Sequence, residues 1–212
     1  MAENVNKNNV SVYLKEMEKL CPYINPAKIS NRITNKGIYI PEKDKLSIER
    51  RIFWESVEGV EEFRKNRQEL DNHGKLLLNT NIFFTFEHGI LNNILDWPHF
   101  LLKLLYTKVG IVFGKFHVGA KKRNELEGGL PSPPYTHLAI RSALKKKDSR
   151  FFSKAPYLLN NMLENEDNGM DVFIPLTKYR IKIDQLTNVE KDQIYIKLHE
   201  IAENILFSNQ NK

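Results

Sequence analysis

The hydrophobic residues of this chain follow helical spacing in some stretches and strand-like spacing in others. Between Lys45 and about Leu70 the apolar positions recur at intervals of four and three residues: Phe53, Val57, Val60 and Phe63. Glu, Arg and Lys lie between them. This stretch therefore predicts a long amphipathic helix that covers one side of a core.

The clearest helix signature lies near the C-terminus. Thr187 and Glu190 form a capping box, in which each side chain accepts a hydrogen bond from the backbone N–H of the other residue. Beyond it, apolar residues mark one helix face at intervals of four, three and four: Ile194, Leu198, Ile201 and Ile205. We therefore predict a long C-terminal amphipathic helix.

The remaining elements are assigned from composition and from helix-terminating or helix-starting residues. The predicted strands are Gly37–Ile40, Lys75–Phe86 with a break at Asn79–Asn81, Val109–Phe116 and Thr136–Ala143. The further predicted helices are Val12–Leu20 ended by Pro22, Gly89–Leu95, Trp97–Thr107 with Asp96 as its cap and Pro98 in its first turn, and Phe151–Leu163.

Strands and helices do not alternate regularly, and no glycine-rich turn joins a strand to a helix. This order argues against a doubly wound nucleotide-binding fold and favours an α+β fold. We expect one domain over residues 10–208, with a mixed or antiparallel sheet flanked by helices. Residues 1–9 and 209–212 are predicted to be disordered tails.

Composition narrows the class of protein. Hydrophobic residues make up 41% of the chain and charged residues 27%, which is typical of a globular domain. No apolar run reaches the roughly 20 residues that a membrane helix needs, and the polar N-terminus does not resemble a secretory signal. The single cysteine, Cys21, excludes an internal disulfide and a multi-cysteine zinc site. These features predict a cytoplasmic protein without membrane contact.

The net charge of +6 raises the question of a nucleic-acid partner. Acidic and basic residues are interleaved along the chain, and only Lys121–Arg123 and Lys145–Lys147 form basic clusters. Such runs are usually solvated surface, so nucleic acid is an unlikely partner. One cluster could instead meet the anionic edge of a cofactor or substrate.

Most standard catalytic motifs are absent from the sequence, including a phosphate-binding glycine loop, Gly-x-Ser-x-Gly, His-Glu-x-x-His and Cys-x-x-Cys. Cys21 is more typical of a small core residue than of a nucleophile. Among the histidines, His73 and His199 lie in polar surroundings, whereas His88 and His99 stand at element boundaries where a structural role is the commoner one.

His117 differs from the other histidines in its context. It ends an apolar strand and opens a loop rich in glycine and proline, a position where functional residues are common. Gly114 removes a side chain from one face of that strand, which would let a flat group approach the backbone. Phe113 and Phe116 could then form aromatic walls. This set is the minimum for a haem pocket, although a buried structural histidine would leave the same pattern.

Several motifs around His117 also resemble a known family. Phe-Gly-Lys-Phe-His117, followed by Ser132-Pro133 and by Leu138-Ala139-Ile140-Arg141, resembles a bacterial domain family with an F-G-x-F-H-P signature and a later S-P-x-P-x-L-A-I-R segment. An upstream Cys21-Pro22-Tyr23, with Pro26-Ala27, is also similar. Here Val118 replaces the proline of the signature, Lys121–Glu127 replaces an Asn-Pro-containing loop, and one extra residue precedes Leu138.

This family resembles the haem-dependent N-hydroxylases of arginine and other guanidines in D-cycloserine and guanitoxin biosynthesis. The resemblance implies a b-type haem with His117 as the axial iron ligand, oxygen activation and monooxygenation of a nitrogen in an amino acid or guanidine substrate. A reductase is then an expected partner. The expected haem contacts are Phe113, Gly114, Phe116, Lys121, Arg123 and Arg141, with Arg141 on a propionate or a substrate carboxylate.

Two alternatives remain open at the level of sequence. The same site could serve a haem carrier or sensor without enzyme activity, in which a second protein ligand comes from His88, His99 or His137. A basic interaction module without a cofactor could instead bind a partner through Lys121–Arg123 and Lys145–Lys147, and its binding would fall steeply with salt.

Overall fold

A computed structural model of the chain describes the following residues: 5–21, 24, 33–71, 79–90, 92–119, 131–143, 148, 158–160, 162, 167–174 and 183–210. Within them, four strands form one mixed sheet in the order β1-β2-β4-β3. The strands are β1 (Ile33–Ile40), β2 (Asn79–Phe86), β3 (Ile111–Phe116) and β4 (Thr136–Ser142). β1 and β2 are parallel, whereas β4 is antiparallel to both β2 and β3. The predicted α+β class is confirmed.

The described helices are α1 (Lys7–Leu20), α2 (Lys45–Asp71), α3 (Asp96–Tyr106) and α4 (Asn188–Gln210), with 3-10 turns at Thr107–Val109 and Ile183–Gln185. Of these described helices, none has the length and apolar content needed to cross a membrane. The predicted long helices near Lys45 and at the C-terminus are confirmed as α2 and α4.

The sheet register assigns side chains to two faces, because opposite residues share a face and neighbours along a strand alternate. Phe83, His137 and Phe116 lie opposite one another across β2, β4 and β3, so their side chains share one face. Leu138 and Ile82 face the other side. We call the face with Phe83, His137 and Phe116 the α1 face, and the face with Leu138 and Ile82 the core face.

The main core forms where α2, α3 and α4 cover the core face. Its members are fully or almost fully buried apolar residues of these helices and of all four strands. A smaller cluster of Tyr13, Met17 and Ile24 packs on the α1 face, against Ile33 and Phe116. The backbone N–H of Asn6 donates to the Tyr135 hydroxyl at 3.0 Å and fixes the start of α1 over β4.

Local hydrogen bonds explain where two of the helices begin. The Thr187 N–H donates to Glu190 Oε2 at 2.8 Å, and the Glu190 N–H donates to Thr187 Oγ1 at 3.3 Å. The predicted capping box is therefore confirmed. α1 begins at Lys7, inside the predicted disordered tail, because Asn6 Oδ1 accepts from the Asn8 N–H and caps the helix.

Two predictions of local structure around β2 are wrong. Asn79–Asn81 does not break β2, since Asn81 Nδ2 donates to Asn35 Oδ1 at 2.9 Å and so has a partner within the sheet. The described residues of Gly89–Leu95 form turns or irregular backbone instead of a helix. Gly89 and Asn93 adopt left-handed φ values of 84° and 60°, which end regular structure there.

Asp96 also differs from its predicted role. α3 starts at Asp96 itself, and the helix has no side-chain cap hydrogen bond. The Asp96 carboxylate pairs instead with the Lys115 ammonium of β3. Most of the predicted helix Phe151–Leu163 lies outside the described residues.

Candidate functional site

His117 directly follows the last residue of β3 and is held at the end of the β3–β4 pair. The next residue, Val118, donates its N–H to Thr136 Oγ1 at 3.3 Å, which ties this end of β3 to the start of β4. The His117 side chain is half-buried. Burial lowers its pKa, and the nearby Lys115 lowers that pKa further, while Asp96 opposes the shift. The imidazole is therefore neutral at neutral pH, which is the form that binds a metal.

A second neutral histidine, His99, lies on α3 beside this strand end. Its Nε2–H donates to the backbone carbonyl of Phe113 at 3.1 Å. Burial is the largest cause that lowers the His99 pKa to about 3, and Lys103 and Lys115 add to the shift. With Nε2 protonated, the Nδ1 lone pair of His99 is the one left for another partner.

Gly114 does make room for a flat group, but that group belongs to the protein. A Cβ at Gly114 would lie 2.9 Å from Cε2 of the Phe116 ring, closer than real contacts allow. The Phe116 ring thus lies over the Gly114 backbone. Its other neighbour is the His137 imidazole, whose ring centroid lies 4.6 Å away with the two planes 7° from parallel.

His137 is the centre of this aromatic cluster on the α1 face. The Phe83 ring lies 4.7 Å from it, and Tyr13 meets it edge-on at 5.5 Å. Its Nδ1–H donates to the Tyr135 carbonyl at 3.0 Å, and the residue is only 2% exposed. Burial lowers its pKa to about 4. His137 is therefore a neutral buried residue, and strand alternation places it on the same face as Phe83 and Phe116.

The structure does not bring Phe113 and Phe116 together. Phe113 lies on the core face, 6% exposed, where its ring is 6.1 Å from that of Tyr106. Phe116 lies on the α1 face, since consecutive strand residues alternate. The two rings therefore cannot form opposite walls of one pocket.

Arg141 lies away from His117, near the other end of β4, where it is opposite Val112. Its guanidinium makes two hydrogen bonds, of 2.7 and 2.6 Å, to the fully buried carboxylate of Asp148. This arrangement is a buried ion pair, so a propionate or substrate at the His117 end is out of its reach. Lys121 and Arg123 lie outside the described residues.

A cavity of about 580 Å³ borders the strand end that carries His117. Its wall includes Val118, the neighbour of His117, together with Thr136 of β4, the preceding residue Tyr135, and Ile90 of the segment between β2 and α3. His117 itself is not one of the lining residues. The volume is within the range of pockets that enclose small molecules and cofactors.

The described residues contain no group of three or more His, Cys, Asp or Glu side chains arranged to hold a metal ion. Comparison of the chain with protein-family models, curated proteins and solved structures found no match. A functional assignment accordingly depends on the residues described above.

Proposed function

We propose that the protein binds haem through the imidazole of His117 and uses it to hydroxylate a nitrogen of an amino acid or guanidine. The observation that carries the proposal is the half-buried, neutral imidazole at a rigid strand end next to a 580 Å³ cavity. Haem supplies the four equatorial nitrogen ligands, so one protein imidazole is enough to hold the iron.

Only some of the residues expected to contact haem are available for that role. Val118 and Ile90 are 43% and 46% exposed and offer apolar surface to a macrocycle in the cavity. Four of the expected contacts instead pack or form ion pairs within the protein: Phe113, Gly114, Phe116 and Arg141. Cations for the propionates would come from the basic cluster Lys121–Arg123, which follows His117 closely in the chain.

The proposed chemistry rests on the resemblance of the Phe-Gly-Lys-Phe-His117 motif to the N-hydroxylase-like family. Bound haem would supply the iron centre at which dioxygen is activated. The role of this chain would be to hold the iron through His117 and to bind the substrate next to the haem. A reductase partner would provide two electrons for each oxygen atom transferred.

A haem carrier is the second candidate, and the arrangement of His99 favours it. Metal-bound histidines usually donate their other ring N–H to a carbonyl or carboxylate. His99 already does so, through Nε2–H to the Phe113 carbonyl, and keeps a lone pair on Nδ1. His137 is enclosed by aromatic rings and is a poorer second ligand, while His88 lies on the turn after β2 with a 37% exposed side chain.

The proposal is tested by adding haem to the purified full-length protein and to His117→Gly. We expect the wild type to bind haem with a Soret band, and the variant to lose that band and regain it when imidazole is added. His199→Gly is the matched control, since His199 packs on Trp97 of α3, with ring centroids 3.7 Å apart. An unchanged spectrum in His117→Gly would contradict the ligand assignment.

Two measurements distinguish an enzyme from a carrier. One is whether the protein supplies a second iron ligand, and the other is whether a product forms. An oxygenase should convert arginine, another guanidine or an amino acid to a product that is one oxygen atom heavier by mass. A carrier should give a six-coordinate spectrum that changes in His99→Ala and no product with any of these compounds. The two results are mutually exclusive for a given substrate set.

A further inference from the structure

A second cleft lies on the far side of the sheet from α2, between α1 and the edge strand β1. Its volume is about 780 Å³. The floor is apolar and includes Val10, Leu14, Ile33 and Phe83. Among the described strands, β1 is an edge strand with a neighbour on one side only, and the cleft runs along it.

The β1 side of the cleft presents backbone as well as side chains. Five consecutive residues, Asn35–Tyr39, line it. Alternate side chains of a strand face opposite ways, so a continuous run of lining residues includes main chain. Ile38 is buried in the main core, and the Lys36 ammonium pairs with Glu55 of α2 at 3.3 Å. These two residues contribute mainly their backbone to the cleft.

Exposure along β1 supports an accessible edge. Thr34, Asn35 and Gly37 are exposed, although the residues before and after them are half-buried or buried. A Cβ at Gly37 would lie 2.8 Å from Cγ2 of Val5, so the chain before α1 passes close over the strand at this point. The helix and the strand therefore form the two walls of a groove.

The rim of the groove carries two exposed lysines on α1. Lys7 and Lys15 are exposed on α1, and Glu18 is the acidic side chain of the same lining. Lys7 and Lys15 are eight residues apart. This spacing is about 12 Å along a helix, or about four residues of an extended chain. Acidic side chains on alternate positions of a bound strand could reach both lysines.

We propose that this groove binds an extended acidic peptide segment that adds a strand to the outer edge of β1. An unpaired strand edge offers main-chain donors and acceptors at regular intervals, and a peptide strand satisfies them. The apolar floor would receive the alternate side chains, and Lys7 and Lys15 would pair with the carboxylates. The groove shares Tyr39 and Thr85 with the 580 Å³ cavity, but His117 does not line it and the proposal does not depend on haem.

The test uses three capped hexapeptides and the full-length protein. The first alternates Glu and Val, the second alternates Lys and Val, and the third is the first with one central Val replaced by Pro. Proline lacks the N–H and cannot continue a central strand pairing. By fluorescence anisotropy, the Glu/Val peptide should bind about tenfold more tightly than the Lys/Val peptide, the size expected from two surface charge pairs.

Charge reversal on α1 provides the matched control. In the double variant Lys7→Glu, Lys15→Glu the preference should invert in favour of the Lys/Val peptide, because both positions are exposed and the fold does not need them. Hydrogen exchange should show new protection of β1 amides when the Glu/Val peptide is bound. Equal binding of the proline peptide, or an unchanged preference in the double variant, would overturn the proposal.

Discussion

The Phe116 ring lies flat against the His137 imidazole, with centroids 4.6 Å apart and planes 7° from parallel. Gly114 makes this contact possible because its missing Cβ leaves the space that the Phe116 ring occupies. The face of the sheet next to α1 is therefore held by an aromatic cluster around a neutral histidine. Its protonation and its packing can be tested separately.

Protonation of His137 should destabilise the fold in acid. Burial lowers its folded-state pKa to about 4, compared with about 6.5 in the unfolded chain. The unfolded state therefore takes up the proton first, and stability falls as the pH drops from 6.5 towards 4. We expect this group to reduce the free energy of unfolding by about 2 kcal/mol between pH 7.5 and 5. Urea unfolding at the two pH values measures the change.

His99 should act in the same direction, because burial also lowers its pKa, to about 3. The contribution of His137 is isolated with His137→Gln, which has no imidazole to protonate. Its loss of stability between the two pH values should be smaller than that of the wild type. An equal loss of stability in His137→Gln and in the wild type would contradict the assignment.

Packing of the same cluster is tested at Gly114. In Gly114→Ala the new methyl group would lie 2.9 Å from the Phe116 ring and push it off His137. We expect a loss of about 1–3 kcal/mol in the free energy of unfolding, as for other overpacked sites. In a Phe116→Ala background the same substitution should cost much less, since the obstructing ring is gone. Equal costs in the two backgrounds would show that the clash is not the cause.

Much of the fold follows from local sequence signals. The capping box at Thr187, the period of four and three in α2 and the β-branched and aromatic run of β3 each predict an element without reference to the rest of the chain. The errors arise where distant contacts decide. Asn81 fits inside β2 because Asn35 of the neighbouring strand bonds to it, and no local pattern shows that partner.

The candidate site shows the same division. The place of His117 at a strand end could be read from the sequence, because the apolar run stops there. The contact partners of the other predicted site residues could not be read from the sequence. Arg141 is taken by Asp148, and the flat group over Gly114 is Phe116, two residues along the same strand. A strand pattern shows that Phe113 and Phe116 face opposite ways, but it does not show what covers each face.

A buried charged cluster should matter far more to stability than the surface ion pairs. The Asp167 carboxylate bonds to Arg64, with contacts of 3.0 and 2.8 Å, and also to Arg67, and all three side chains are almost fully buried. Arg67 also donates to the carbonyls of Val109 and Gly110, which places α2 against the start of β3. The two guanidinium groups therefore share the Asp167 carboxylate, and Arg64 also pairs with Glu61 at 2.9 Å.

Asp167→Asn should lower the free energy of unfolding by about 3–5 kcal/mol, because it removes the carboxylate that two buried guanidinium groups share. The matched control is Glu58→Gln on α2, the helix that carries Arg64 and Arg67. Glu58 pairs with Lys191 at 3.5 Å but is about half exposed, so the loss there should stay below about 1 kcal/mol. Thermal unfolding of both variants gives the comparison, and similar losses would contradict the importance of the buried cluster.

The last prediction concerns the charge next to His117 and can be tested without haem. Lys115 lowers the His117 pKa and Asp96 raises it, and the two side chains pair with each other. In Lys115→Gln a positive neighbour is lost and Asp96 is left unpaired, so both effects raise the pKa of His117. In Asp96→Asn the negative neighbour is lost and the pKa should fall further below its ordinary value.

The two substitutions should shift the His117 pKa in opposite directions. The comparison therefore tests where each charge lies as well as its sign. Titration of the His117 ring protons by NMR in the haem-free protein measures both shifts directly. If His117 is also the iron ligand, haem binding in Lys115→Gln should weaken at a higher pH than in the wild type, since the proton and the iron compete for the same imidazole nitrogen. Shifts of the same sign in the two variants would mean that the Asp96–Lys115 pair does not lie beside His117 as the structure places it.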